Sequence, residues 1–177
     1  IDVTTYDELV LGDRKSDGSH PAFSKLFVET AFDAERQTLF ASRRKRSAED
    51  KSIAAATFVV CSQSASELEF ETDRGAFLGR NRSLGAPRAV VSGLNLRNSQ
   101  GFVLDPAFAL RKRVTVKPGE SVILDFWTLV GDDRALLSDL VNKYNSPVAF
   151  GRTASLAWTR SLMEVRHLGI SAESALN

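Results

Sequence analysis

At 177 residues, 43% hydrophobic and 25% charged, the chain has the length for one domain with a core of its own, and this composition excludes bulk disorder. A formal charge of +1 gives no general attraction to nucleic acid or anionic lipid. The single Cys61 excludes an internal disulfide. Set in the apolar run Thr57–Cys61, it reads as a small buried residue, with a reducing compartment as the default. No apolar run reaches about 18 residues, and no basic start followed by an apolar centre marks a signal peptide. The chain opens on Ile1 rather than methionine and closes in a polar helical tail, so it is expected to be a segment of something longer.

In chain order, Val3 to Leu11 is the first predicted strand, and the polar, Gly-containing stretch Gly12 to Ser19 is a loop. His20-Pro21 introduces a second strand, Phe23 to Phe32, with Leu26, Val28 and Thr30 on one face and Phe23, Lys25, Phe27 and Glu29 on the other. Asp33 to Arg36 reads as a turn, and Gln37 to Ser42 as a strand pairing back. The basic run Arg43-Arg44-Lys45-Arg46 lacks interleaved aromatics and is followed by Glu49 and Asp50, which favours a solvated loop over a nucleic-acid patch. Ile53 to Ser62 is nearly continuously apolar, the pattern of a strand covered on both faces. Leu68 to Thr72 is a shorter strand with acidic alternates. From Gly79 to Gly101 the Gly, Pro, Asn and Ser spacing predicts a long irregular connection, a class of loop that often carries function. Asp105 to Asp133 alternates twice around Lys117-Pro118-Gly119-Glu120 and reads as the closing hairpin of a β-sandwich. Two helices end the chain: Asp132 to Tyr144, capped by Asp132 or Asp133, and Pro147 to Leu168, stopping near Gly169. The apolar stripe Phe150, Ala154, Ala157, Trp158, Leu162 and Val165 on the second helix needs a partner surface, and Trp158 is expected to pack it against the sandwich, while Trp127 is expected in the core.

These patterns hold no self-sufficient active site. His20 and His167 stand far apart, and neither has a second ligand three or four positions away, so no metal site is predicted. A G-x-S-x-G elbow is absent, and Gly75 to Gly79 lacks the Lys-Ser/Thr ending of a phosphate loop. Sequence alone does not show whether any two carboxylates stand at a glycosidase separation.

Four segments carry a more specific signal: HPAFSKLFVET (20–30), FETDRGAFLGRNRSL (70–84), VLDPAFALRKRVTVKPGES (103–121) and AWTRSLMEVRHLGIS (157–171). In this order and spacing the chain resembles, nearly collinearly over its length, the glycoside phosphorylase-like region of cyclic β-1,2-glucan synthases. More distantly it is similar to the cellobiose and chitobiose phosphorylase family. The resemblance implies a mainly β fold, an antiparallel β-sandwich of the supersandwich, galactose mutarotase-like kind over residues 1–131. Residues 132–177 then become two linker helices leading toward an (α/α)6 barrel. It also implies that the general-acid aspartate and the phosphate-binding residues lie in that barrel, so this segment holds no catalytic residue, needs no cofactor and is expected to be inactive alone. The family inverts configuration with phosphate attacking directly, which requires one protein acid. In the synthases resembled, a membrane-embedded glycosyltransferase region builds β-1,2-glucan from UDP-glucose, and the phosphorylase-like region acts on chain length. The segment would then work at the cytoplasmic side of a bacterial inner membrane without inserting into it.

The same resemblance brings His20 to Lys25 to the acceptor side of a glucan cleft. Phe23 would stack on a sugar face, and Lys25 would donate to hydroxyls, with His20 beside them. The alternative places Phe23 and Phe27 in a strand core and makes His20 a turn cap. Asp73 and Arg74 contact sugar or form an internal ion pair that pins the long loop, with the pin favoured. Arg80 and Arg82 bind sugar hydroxyls or stay solvated. The partner implied is β-1,2-glucan or another oligosaccharide. Against the wall of a cleft stand two other readings: a structural brace that orients the barrel without touching sugar, and a free-standing carbohydrate-binding module.

Overall fold

The structure, a computed structural model, describes residues 1–45, 47, 52–63 and 66–169. Among these, the strands are β1 (Asp2–Glu8), β2 (Val28–Asp33), β3 (Thr38–Arg43), β4 (Ala54–Cys61), β5 (Glu67–Asp73), β6 (Gly101–Phe102), β7 (Pro106–Arg113) and β8 (Leu124–Gly131). They form two antiparallel sheets, one ordered β1-β7-β5 and the other β6-β2-β3-β4-β8. The helices are α1 (Arg14–Ser19), α2 (Pro21–Lys25), α3 (Arg74–Leu78), α4 (Arg88–Val91), α5 (Arg134–Tyr144) and α6 (Ala149–His167).

Side chains alternate across a pleated strand, and here both faces of both sheets find cover. Phe70, Phe108 and Leu110 of the small sheet meet Val28, Leu39, Ala41 and Ala55 of the large one, closing the sandwich core. On the far face of the large sheet Phe40, Ala54, Ala56, Phe58 and Val60 pack beneath Leu137 and Val141 of α5. On the far face of the small sheet Ala109 and Tyr6 lie beneath Phe77, Leu78, Ala89 and Leu96, from α3, α4 and the segment after them. β4 therefore feeds two cores at once, which is why its sequence is apolar without alternation.

Several predicted boundaries move. Gly12 to Ser19 contains α1, and the first half of the expected Phe23–Phe32 strand is α2, started by Pro21 in a first-turn position. The strand begins only at Val28, where buried Val28 and Thr30 flank exposed Glu29. The long connection holds α4, although the rest of it is irregular. The turn at Lys117–Glu120 is real, with Glu120 N donating to Lys117 O at 3.0 Å and Gly119 at φ +81. What it joins is not a hairpin: β7 lies in the small sheet and β8 in the large one, so the chain crosses between the sheets there. β8 instead pairs with β4, from Ala54↔Gly131 to Cys61↔Leu124. Cys61, at the end of that strand, is half-buried. Of the basic run, Arg43 ends β3 and donates to Ser24, while Arg46, Glu49 and Asp50 lie outside the described residues.

The terminal helices form as expected. Asp133 caps α5 by accepting from Leu136 N at 2.8 Å, and Gly169 at φ +68 follows the end of α6. Trp127 packs in the outer core, stacked on Tyr144 at 5.0 Å and Phe58 at 6.3 Å, with Phe150 meeting its edge. Trp158 does not pack against the sandwich. It is 65% exposed, and within α6 Ala149 is the residue that is buried, with Phe150 reaching the Trp127 edge.

Candidate functional site

The residues singled out by sequence gather in part on one rim, where α2, α3 and the turn before β7 meet. Asp105 is the hub, although no pattern marked it. Its Oδ1 accepts from Lys25 Nζ of α2 at 2.6 Å, and its Oδ2 from Arg74 Nη1 of α3 at 3.2 Å. Arg74 N also donates to Asp105 O at 2.9 Å. Arg74 Nε reaches Glu8 Oε1 at 3.0 Å, and Tyr6 donates its hydroxyl to the same oxygen at 3.3 Å. Burial, with the Glu8 charge adding to it, pushes the Tyr6 phenol up to about 12, so it stays a donor across the physiological range. Tyr6 also stacks on Phe77 at 5.0 Å, tying α3 to β1. Each of these partly exposed ion pairs contributes at most about 1 kcal/mol to stability, and their effect is to fix one helix relative to the other.

Asp73 and Arg74 do not pair with each other, and their contacts hold α3, the helix from which the long loop departs. The Asp73 carboxylate caps α3, its Oδ1 accepting from Gly75 N at 2.8 Å and Ala76 N at 3.3 Å, while Arg74 turns to Glu8 and Asp105. The cap thus occupies the Gly75 and Ala76 amides of the Gly75–Gly79 stretch, and Gly79 N donates to Gly75 O.

Of the remaining candidates, Phe23 is 48% exposed on α2, its ring meeting Phe27 edge-on at 5.3 Å. His20 is exposed at the start of the same helix and makes no side-chain cap, so the turn-cap role does not hold. Arg80 and Arg82 are exposed on the loop beyond α3, where Arg82 Nη1 donates to Ala86 O at 3.4 Å. The structure thus joins Lys25 and Arg74 through one carboxylate, sets His20 and Phe23 on the helix that Lys25 holds, and leaves Arg80 and Arg82 outside the network.

Beneath the long loop lies a second cluster that sequence reasoning passed over. Arg111, 2% exposed, donates to the carbonyls of Ala89 and Leu94 and to Glu69 Oε2. Glu69 Oε2 accepts from Leu96 N at 2.9 Å. Glu71 Oε1 accepts from Thr72 N, Asp73 N and the Ser99 hydroxyl, and burial raises its carboxyl above the usual range. A signal was present: Glu69 and Glu71 alternate on β5 as Arg111 does on the facing strand, and Glu69 pairs in register with Arg111. Among the described residues no group of three or more His, Cys, Asp or Glu can hold a metal ion.

A double sheet with a helix on one outer face and a pinned loop on the other is the context in which relatives are informative. Residues 1–147 match the model of the glycosyl hydrolase 94 supersandwich domain. The chain belongs to that family. It is also 38% identical over 176 residues to the cyclic β-(1,2)-glucan synthase NdvB of Rhizobium meliloti. That match covers 99% of this chain and 6% of the relative, so the supersandwich spans a small fraction of the length of the curated protein it matches. No described helix of the supersandwich is long and apolar enough to cross a membrane.

Proposed function

We propose that this supersandwich is an accessory domain of a cyclic β-1,2-glucan synthase and that its α2–α3 rim forms one wall of a glucan-binding cleft. The observation that carries the reading is the double engagement of Asp105, which fixes α2, with Phe23 half-exposed, beside the start of the loop bearing Arg80 and Arg82. A half-exposed ring on a rigid short helix suits stacking on a pyranose face, and exposed guanidinium groups suit its hydroxyls. Lys25, Asp73 and Arg74 are engaged within the chain, so in this reading they position the rim, with His20 at its edge. The chemistry belongs to parts of the parent protein outside this chain, a helical barrel acting on glucan chains at the cytoplasmic side of the membrane.

A brace that never touches sugar is the second reading, favoured by α6, whose Phe150, Trp158 and Leu162 are 53%, 65% and 45% exposed. One experiment separates them. In the full parent protein, Phe23→Ala and Arg80→Ala are each expected to weaken β-1,2-glucan binding by about 3- to 10-fold, the worth of one aromatic or charge-assisted contact, and to change the product chain-length distribution. Unchanged affinity and distribution, with no glucan-dependent hydrogen-exchange protection at residues 20–25 and 79–84, would leave only the brace.

A further inference from the structure

At the end of the sandwich opposite its rim, the alternation that buries Phe108 and Leu110 between the sheets also buries Lys112. On β7 it shares their inward face, and it is only 4% exposed. A cavity of about 290 Å³ opens over it, lined by Gln37 of the β2–β3 turn, the end of β4, Gln63 and Ser66, and Asn145 and Pro147 of the α5–α6 junction. Among these lining residues there is no carboxylate. Among the described lining residues, Lys112 and the Cys61 thiol are the titratable groups, from β7 and β4, and Gln37, Gln63, Ser66, Asn145 and Pro147 bring only amides, a hydroxyl and an apolar ring. Among the described residues, the acceptor that Lys112 Nζ reaches is Gln37 Oε1, at 3.5 Å, the outer limit of a hydrogen bond. A buried ammonium without a counter-charge is costly, and burial here pushes the group below the usual lysine range.

Nature commonly retains such a cation where a ligand supplies the missing charge. The donors around it suit an oxyanion: with Gln37 Oε1 accepting from Lys112, the Gln37 NH₂ is left as a donor, and Asn145 adds a second amide to the lining at the junction of two helices. Gln63 and Ser66 are committed to Thr115 and to Gln63 O, so they wall the space rather than bind. We propose that this cavity is an oxyanion site, with Lys112 as its charged anchor and Gln37 and Asn145 as its amide donors, taking a phosphate group. At about 30 Å³ per water the cavity holds roughly ten waters' worth of space, more than a bare phosphate fills, so it admits a phosphate carried on a small polyol. Because one wall is the α5–α6 junction, occupancy would stiffen the point where α6 leaves the sandwich.

The test is calorimetric titration of the protein with inorganic phosphate and, separately, with glycerol 3-phosphate, against chloride at matched ionic strength. Saturable binding is expected, with Lys112→Met weakening it by about 10- to 100-fold, the worth of a charge-assisted contact, and Lys112→Arg retaining part of it. Tighter glycerol 3-phosphate points to a carried phosphate, and equal affinity to the free ion. A second measurement needs no variant: phosphate should slow acetylation of Lys112, read by mass spectrometry, while exposed lysines such as Lys15 stay unaffected. Absence of saturable binding by both probes, equal binding by Lys112→Met, or acetylation of Lys112 indifferent to phosphate would each overturn the site.

Discussion

Arg111 shows how one buried charge organises a loop that has almost no regular structure. Its guanidinium satisfies two loop carbonyls, Ala89 O and Leu94 O, and stands beside Glu69, which in turn holds Leu96 N. Replacing it with Met of similar length leaves two carbonyls unpaired and removes one of the two cations beside Glu69, with Arg113 Nη1 still 3.6 Å from Glu69 Oε1. Arg111→Met is therefore expected to cost about 2–4 kcal/mol in denaturant unfolding, chiefly from the two unsatisfied carbonyls, and to raise hydrogen exchange first over residues 88–97. Arg111→Lys should not rescue it, since an ammonium cannot span the same fork of acceptors. A loss below about 1 kcal/mol would mean the loop is held by its apolar contacts through Phe77, Leu78 and Leu96 instead.

At the scale of elements, α3 is a five-residue helix too short to persist without help, and Asp73 supplies that help through Gly75 N and Ala76 N. Asp73→Ala should destabilise the protein by about 1 kcal/mol, and Asp73→Asn should restore most of it, because Asn caps nearly as well. A sugar-contact role would show the opposite pattern, stability unchanged and glucan affinity lost in both variants. The same scale explains what sequence could and could not say. β4 and the α5 cap at Asp133 were legible, since each is decided by residues within one element. The strand start at Val28 was not. Phe23, Lys25 and Phe27 alternate well enough for a strand, and Pro21 wins by opening a helical turn that alternation does not register. Nor was the sheet change after β7: Lys117–Glu120 makes a genuine turn, but whether the next strand pairs with its predecessor or crosses to β4 depends on which neighbours need covering. In the candidate site, Lys25 and Arg74 carried a visible charge, whereas Asp105, 80 residues beyond Lys25, is their partner only through the fold.

For the whole molecule, the layers run from the pinned loop through the small sheet and the large sheet to α5, and α6 projects beyond them. Its two tryptophan neighbourhoods differ accordingly. Trp127 sits among Phe58, Tyr144 and Phe150, whereas Trp158 faces outward with Leu162 and Met163. In the 177-residue chain, Trp127→Ala should cost about 3 kcal/mol, the lower end for a large aromatic removed from a packed setting, because one side of its ring is only partly covered. Trp158→Ala should stay within about 0.5 kcal/mol, as for other substitutions outside a core. Urea unfolding of the two variants measures both. The comparison becomes decisive when repeated in the full parent protein. If α6 enters a neighbouring helical domain, Trp158→Ala should there lower stability by an amount approaching that of Trp127→Ala, since the ring would be buried in a second core. Equal indifference in both settings would mean that the stripe on α6 stays in water, and the helix would then be a spacer rather than a dock.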